Sequence, residues 1–210
     1  MKIKALIILT TMWLGGLFAG AQSKSFVLGL QQSVEFSVAK DGEDGASVLD
    51  FQTKGRDFKA MAFYYQNGAV VSVEDVKDGR RSLVVLGGKL NLKSCLPYAR
   101  PDVGVPGSQA TYTIGIHDFT NDGFPELVVG IRDDSSDALA VYILEYGGTS
   151  GWYSIGEMVT QGKGIHEARV FRQAVSFKDA SSGVMSTWTY HEGKFDFLSS
   201  DHADDPSKLF

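Results

Sequence analysis

The sequence predicts an all-β protein of antiparallel hairpins, in a small propeller-like or sandwich arrangement. Three observations predict it. Several short stretches alternate apolar and polar residues with period two, the repeat of a pleated strand. Paired turn residues, most of them containing glycine, punctuate those stretches, as hairpin tips do. Glycine reaches 24 of 210 residues, above average usage, while no amphipathic window convincingly outlasts about a dozen residues.

Met1 to Ala21 read as a cleavable signal peptide. Lys2 and Lys4 precede an apolar run from Ala5 to Phe18, and the small residues Ala19, Gly20 and Ala21 follow. That order of basic, apolar and small residues is the pattern a signal peptidase cuts. The run is shorter than the roughly 20 apolar residues a membrane span needs. Gln22 stands after the expected cut, so no cysteine is there for acylation. The expected location is therefore periplasmic or secreted, with no membrane insertion of the mature chain.

From residue 22 to 200 the chain reads as one all-β domain. Ser33-Val34-Glu35-Phe36-Ser37-Val38, Thr111-Tyr112-Thr113-Ile114-Gly115-Ile116 and Lys194-Phe195-Asp196-Phe197 alternate as strands. Asp41-Gly42, Asp44-Gly45, Asn67-Gly68, Asp78-Gly79, Asp122-Gly123, Gly147-Gly148 and Glu192-Gly193 mark turns. Gly162 to Phe171 is the one stretch where a short helix fits. Leu96 to Ala110, with three of the five prolines, reads as a long loop and a candidate boundary between two β halves. Asp201 to Phe210 is an acidic, patternless tail expected to fray.

An internal echo runs through the middle. Asp75-Val76-Lys77-Asp78-Gly79-Arg80-Arg81-Ser82-Leu83-Val84-Val85 repeats the outline of Asp118-Phe119-Thr120-Asn121-Asp122-Gly123-Phe124-Pro125-Glu126-Leu127-Val128-Val129 with one residue fewer. The offset, about 43 residues, is the length of one four-stranded propeller blade. Hairpins of any β protein share such features, so the echo alone does not establish a repeat, and the chain is too short for a seven-bladed propeller.

The net charge of −5 argues against nucleic acid, which needs basic patches. Removing Lys2 and Lys4 makes the chain more acidic still. Cys95 is the sole cysteine, so no disulfide braces an exported chain; it reads as a small buried apolar residue. His166-Glu167 lacks the second histidine of a zinc-protease helix, position 170 being Val170, and no G-x-S-x-G surrounds Ser150. His117 beside Asp118 reads as structural sooner than as a ligand or base, and His191 and His202 as exposed. No catalytic signature emerges, and the expectation is a non-catalytic protein.

One stretch carries chemistry. In Asp118-Phe119-Thr120-Asn121-Asp122-Gly123-Phe124-Pro125-Glu126, oxygen-bearing side chains occupy relative positions 1, 3, 5 and 9, with glycine at 6. Ca²⁺ takes six to eight oxygens at short range, and glycine permits the bend that folds alternate residues inward. Phe124 would supply its carbonyl. Position 12 is Val129, not glutamate, so this is no EF-hand, and Thr120 is a weaker ligand than aspartate. The plainer alternative is an Asp-Gly turn whose acidic neighbours are incidental.

The segment DFTNDGFPELVVG resembles the calcium loop of FG-GAP/VCBS-type repeats, written D-x-[DN]-x-D-G-x-x-[DE]-L. The resemblance implies that Asp118, Thr120, Asp122, Phe124 and Glu126 hold one Ca²⁺ that staples a turn between two strands of a propeller blade. The echo at Asp75 has lost most of its acidic ligands, implying a single site.

Two functions follow as expectations. One is an exported, non-catalytic binding module stabilised by Ca²⁺, whose partner is a protein or a cell-envelope polysaccharide. Trp152, Tyr153, Trp188 and Tyr190 are candidates for its surface, although strand aromatics are more often core. The other rests on Thr149-Ser150-Gly151-Trp152-Tyr153, whose S-G-x-Y resembles the loop that periplasmic lysozyme inhibitors insert into a lysozyme active site. That implies Ser150, Gly151 and Tyr153 as contacts in an inhibitor or immunity protein.

Overall fold

Strand length and turn chemistry divide the described residues into fourteen strands. The computed structural model describes residues 26–37, 48–65, 68–86, 110–133, 139–160, 165–179 and 185–201. The expected signal peptide, Cys95, the turns at Asp41, Asp44 and Asn67, the 96–110 loop up to Ala110 and the tail after Asp201 lie outside them. The strands are β1 (Val27–Leu28), β2 (Gln32–Ser37), β3 (Leu49–Thr53), β4 (Arg56–Tyr65), β5 (Gly68–Asp75), β6 (Arg81–Val85) and β7 (Ala110–His117). They continue as β8 (Glu126–Asp133), β9 (Leu139–Tyr146), β10 (Trp152–Thr160), β11 (Ile165–Phe171), β12 (Ala174–Asp179), β13 (Met185–His191) and β14 (Lys194–Asp201).

Three consecutive meanders of four strands form three sheets, β3 to β6, β7 to β10 and β11 to β14. Each runs in sequence order, the connectivity of a propeller blade. Two gain a strand from the N-terminal segment. β2 pairs antiparallel with β7, and β1 pairs parallel with β11. Among the described residues the sheets form no closed barrel, and the fold is all-β as the alternation and turn signals require.

The sheet of β7 to β10 lies between the other two. Leu127, Val129 and Ile131 of β8 enter a core with Phe58, Ala60 and Val71 of the first sheet, while Val128 faces a second core with Phe177 and Val175 of the third. Both faces of the middle sheet are therefore buried, which explains the unbroken apolar run Leu139–Leu144 of β9. The alternation at Thr111–Ile116 separates large from small residues instead of inside from outside. Tyr112, Ile114 and Ile116 fill the first core, whereas Gly115 sits so close to the Gln32 carbonyl that an added Cβ would lie 2.6 Å from it.

Of the stretch that allowed a short helix, the described part, Ile165–Phe171, is strand β11, with Ala168 and Val170 buried at period two. Trp152, a candidate for the surface, lies in the first core, 5.2 Å from the Phe58 ring and 5.6 Å from that of Phe51. Trp188 is half-buried and packs edge-on against Phe177 at 5.3 Å. Among the described residues no helix is long and apolar enough to cross a membrane.

Candidate metal centre and hairpin face

Asp118 follows β7 directly, and Glu126 opens β8. Between them the chain turns through Asn121 at φ 57° and Gly123 at φ 83°, conformations that asparagine and glycine reach at least cost. Phe119, fully buried, anchors the turn in the second core, edge-on to Phe195 at 5.1 Å and 4.6 Å from the His117 ring. His117 is structural: its Nε2–H donates to the Arg172 carbonyl at 2.7 Å, and burial lowers its pKa.

Above that anchor three oxygens converge. Thr120 Oγ1 lies 3.5 Å from Asp118 Oδ1 and 3.3 Å from Glu126 Oε1. Oxygens at right angles on a Ca²⁺ shell of about 2.4 Å radius stand about 3.4 Å apart, so the spacing fits neighbouring ligands. The other carboxylate oxygens hold the backbone. Phe119 N–H donates to Glu126 Oε2 at 2.8 Å, Gly123 N–H to Asp118 Oδ2 at 2.9 Å and Phe124 N–H to Asp122 Oδ1 at 2.8 Å. The Phe124 side chain is exposed.

Glu126 is 1% exposed. Burial, with the nearby charges of Asp118 and Asp122, pushes its pKa up to about 7 despite the Phe119 and Thr120 hydrogen bonds. Among the described residues no lysine or arginine pairs with Asp118, Asp122 or Glu126, and no group of three or more His, Cys, Asp or Glu side chains is placed to hold a metal ion. The convergent set is two carboxylates bridged by a hydroxyl, with Asp122 turned toward Phe124 N–H. Asp118, Thr120 and Glu126 together offer oxygen donors of the kind Ca²⁺ takes, three of the six to eight it needs.

Ser150 and Gly151 of the S-G-x-Y segment close the turn between β9 and β10, and Trp152 and Tyr153 open β10. Gly148–Ser150 form one 3₁₀ turn, closed by Gly147 N–H to Gly151 O at 2.8 Å. Ser150 is exposed, and Gly151, at φ 74°, packs against Ser82 of β6. Tyr153 is 42% exposed, and its hydroxyl donates to Glu145 Oε2 at 2.8 Å. That hydrogen bond is the main cause raising the Tyr153 pKa. Lys54, from the turn between β3 and β4, reaches Glu145 Oε1 at 3.3 Å and the Tyr146 carbonyl at 3.1 Å. Lys54 and Glu145 are 91 residues apart, and no local signal announces such a pair.

These contacts put the turns after β3, β5, β7, β9, β11 and β13 at one end of the molecule. Lys54 ties the first sheet to the second there, and the His117–Arg172 bond ties the second to the third. Tyr190, beside Phe195 at 5.5 Å, has its pKa raised by burial and then by the carboxylates of Glu145 and Glu126. The carboxylate loop and the tyrosine loop are thus neighbours on one face. No protein-family profile matches the sequence, and neither the curated proteins nor the solved structures give a significant match.

Proposed function

We propose that the protein is an exported, non-catalytic binding module. Its face of tight turns engages a protein or a cell-envelope polysaccharide, and one Ca²⁺ steadies that face in an FG-GAP/VCBS-like loop. The observation that carries the reading is Glu126, a buried carboxylate beside Asp118 and Thr120 with no basic partner among the described residues. A bound Ca²⁺ would offset the repulsion of these carboxylates. Asp118, Thr120 and Glu126 would hold it with side-chain oxygens, Phe124 with its carbonyl, and Asp122 after releasing Phe124 N–H. Phe119 fixes the loop to the core, and rigid turns on a β scaffold are a common recognition design.

The test is the melting temperature of the mature protein in excess Ca²⁺ and in chelator. A ligand that binds only the native state raises stability by mass action, so Ca²⁺ is expected to raise the midpoint. No shift, or an equal shift in the Asp118→Ala/Asp122→Ala double variant, overturns the metal site.

A second reading is inhibition of a peptidoglycan hydrolase by Ser150, Gly151 and Tyr153. The exposed turn and the anchored Tyr153 hydroxyl support it, because a preorganised loop loses little entropy on insertion. Stoichiometric protein should then inhibit a muramidase, and Ser150→Ala and Tyr153→Ala should relieve the inhibition. Undiminished activity across several muramidases removes this reading.

A further inference from the structure

The N-terminal segment reaches the third meander through β1 and the second through β2. Val27 and Leu28 pair parallel with Ala168 and Arg169 of β11, and Ala168 N–H donates to the Phe26 carbonyl at 2.7 Å. Phe26 and Val27 are 1% and 2% exposed and lie in the second core. Gly130 of β8 makes their room, since an added Cβ would stand 2.5 Å from Val27 Cγ2 and 3.0 Å from the Phe26 ring. The Arg132 guanidinium lies 5.0 Å from the centre of that ring. Gly29, at φ 88°, then carries the chain so close to the Val170 carbonyl that a Cβ would lie 2.0 Å from it.

The strands of this seat come late. Gly130 and Ala168 lie about 100 and about 140 residues beyond Val27, so a chain delivered N-terminus first has no seat for Phe26 until its third meander arrives. The tie is also short. β1 is two residues long, whereas β2 forms a six-residue ladder with β7. β1 is therefore the weaker attachment. Its opening can stop at Gln31, whose N–H donates to the Ile116 carbonyl at 3.0 Å.

Chain length gives the opening a consequence. The expected signal peptide ends at Ala21, and its apolar run ends at Phe18. From Phe18 to the buried Phe26, extended chain reaches at most about 28 Å. With β1 undocked the next fixed point is Gln31, and the reach becomes about 45 Å. Even a domain of about 100 residues, with a radius of gyration of about 13 Å, is about 34 Å across. A protease working at the membrane surface therefore fits between bilayer and folded body when β1 is free, and does not fit when β1 is docked.

We propose that β1 is a latch that closes after the signal peptide is cut. The late seat keeps the latch open during export. A signal peptidase then hydrolyses the Ala21–Gln22 bond on the open form, leaving a carboxylate on Ala21 and a free amine on Gln22. Docking of Phe26 and Val27 follows and completes the second core. The inference rests on the reading of the protein as exported behind a signal peptide ending at Ala21, and on nothing in the calcium loop or the Ser150–Tyr153 turn.

The test is the rate at which the full chain, Met1 to Phe210, folded in detergent micelles, loses its signal peptide to a purified signal peptidase. It is compared with the same chain carrying a Gly/Ser spacer of about 12 residues between Ser25 and Phe26, which adds about 40 Å of reach and leaves Phe26 docked. Exposing two buried side chains of this size makes the open form about a hundredfold rarer than the docked one. The unaltered precursor should therefore be cut about a hundredfold more slowly than the spacer variant. Phe26→Ala, checked for a retained melting transition, should close most of that gap, and the spacer comparison decides if this variant does not fold. Equal rates for the unaltered and spacer precursors overturn the latch and leave the signal peptide standing. Slow cutting that a folded Phe26→Ala precursor does not relieve overturns the latch as well. No cutting of either precursor removes the signal peptide, and the latch with it.

Discussion

Asp75 and Asp118 each stand where a strand gives way to a turn, and each folds its carboxylate onto the backbone beyond. Asp75 Oδ1 accepts Lys77 N–H at 3.0 Å, and Asp118 Oδ2 accepts Gly123 N–H at 2.9 Å. The residue after each aspartate then diverges. Phe119 is fully buried in the second core, whereas Val76 is largely exposed. The charges diverge too. Arg56 of β4 donates to Asp75 through Nε and to Asp78 through Nη2 at 3.0 Å, so one turn carries its own cation. Asp118, Asp122 and Glu126 have none among the described residues. Two turns of similar outline are thus completed differently, one by a side chain and the other, in the reading proposed above, by an ion.

The largest expected difference lies in the anchors. Phe119→Ala removes a buried ring and should cost about 3–5 kcal/mol, lowering the melting temperature by roughly 10 °C. Val76→Ala removes exposed surface and should stay within about 0.5 kcal/mol. Comparable losses in thermal melts of the two variants would mean that the carboxylate loop is not fixed by its core contact.

The charges come next, and their pH dependences have opposite signs. The Arg56 hydrogen bond holds the Asp75 carboxyl below its ordinary pKa, so the folded state binds fewer protons there than the unfolded chain. That contribution is complete above the ordinary carboxylate range, about 4, and fades as pH falls through the lower folded value. Glu126 is pushed up to about 7, so its contribution is complete below its ordinary value and is lost as pH rises toward 7. In chelator, stability should therefore fall between about pH 4.5 and 7 through Glu126, and Glu126→Gln should flatten that slope. Ca²⁺ should flatten it as well. Asp75→Asn should lower the melting temperature by a few degrees at neutral pH and by less near pH 3. A Glu126→Gln protein with the wild-type slope would remove Glu126 as its source.

Much of this fold is local and could be read early. Period-two runs marked β2, β7 and β14, and Asp78-Gly79, Asp122-Gly123, Gly147-Gly148 and Glu192-Gly193 all join neighbouring strands. The central position of the β7–β10 sheet was harder to see, because a strand buried on both faces loses in/out alternation and β9 is simply apolar. The carboxylate loop was legible because its residues lie close in sequence, although Asp122 turns to Phe124 N–H and not toward Thr120. Lys54–Glu145 and Arg56–Asp75 depend on strands brought together by sheet stacking and meander order. The turns at Lys54-Gly55 and Arg172-Gln173 also passed unmarked, since Lys54 at φ 48° and Arg172 at φ 49° take conformations their side chains do not advertise.

Ligand charge gives a smaller, more selective contrast. Thr120→Asp adds a carboxylate where Thr120 Oγ1 already approaches Asp118 and Glu126. Without Ca²⁺ it should destabilise through repulsion. With Ca²⁺ it should tighten binding, since affinity rises with ligand charge, so the calcium-induced rise in melting temperature should exceed that of the wild type. Lys77→Asp, the matching change in the other turn, should create no calcium response, because Arg56 already holds the Asp75 carboxylate. An unchanged or smaller rise for Thr120→Asp would place Thr120 outside the ligand set.

The smallest effect separates backbone from ion most cleanly. Gly79 and Gly123 take φ of 67° and 83°, and an added Cβ at either meets nothing within 4 Å. Alanine at either position therefore carries only the cost of the left-handed backbone, about 1 kcal/mol, and in chelator the two variants should melt together. In Ca²⁺ they should part. Gly123→Ala disturbs the bend that brings Asp118 and Glu126 toward Thr120, and should lose part of the calcium-induced stabilisation. Gly79→Ala lies in the turn that Arg56 already neutralises and should keep all of it. Equal loss of the calcium response in both variants would mean that the ion acts on the molecule as a whole, and the contrast between the two turns would then have no electrostatic content.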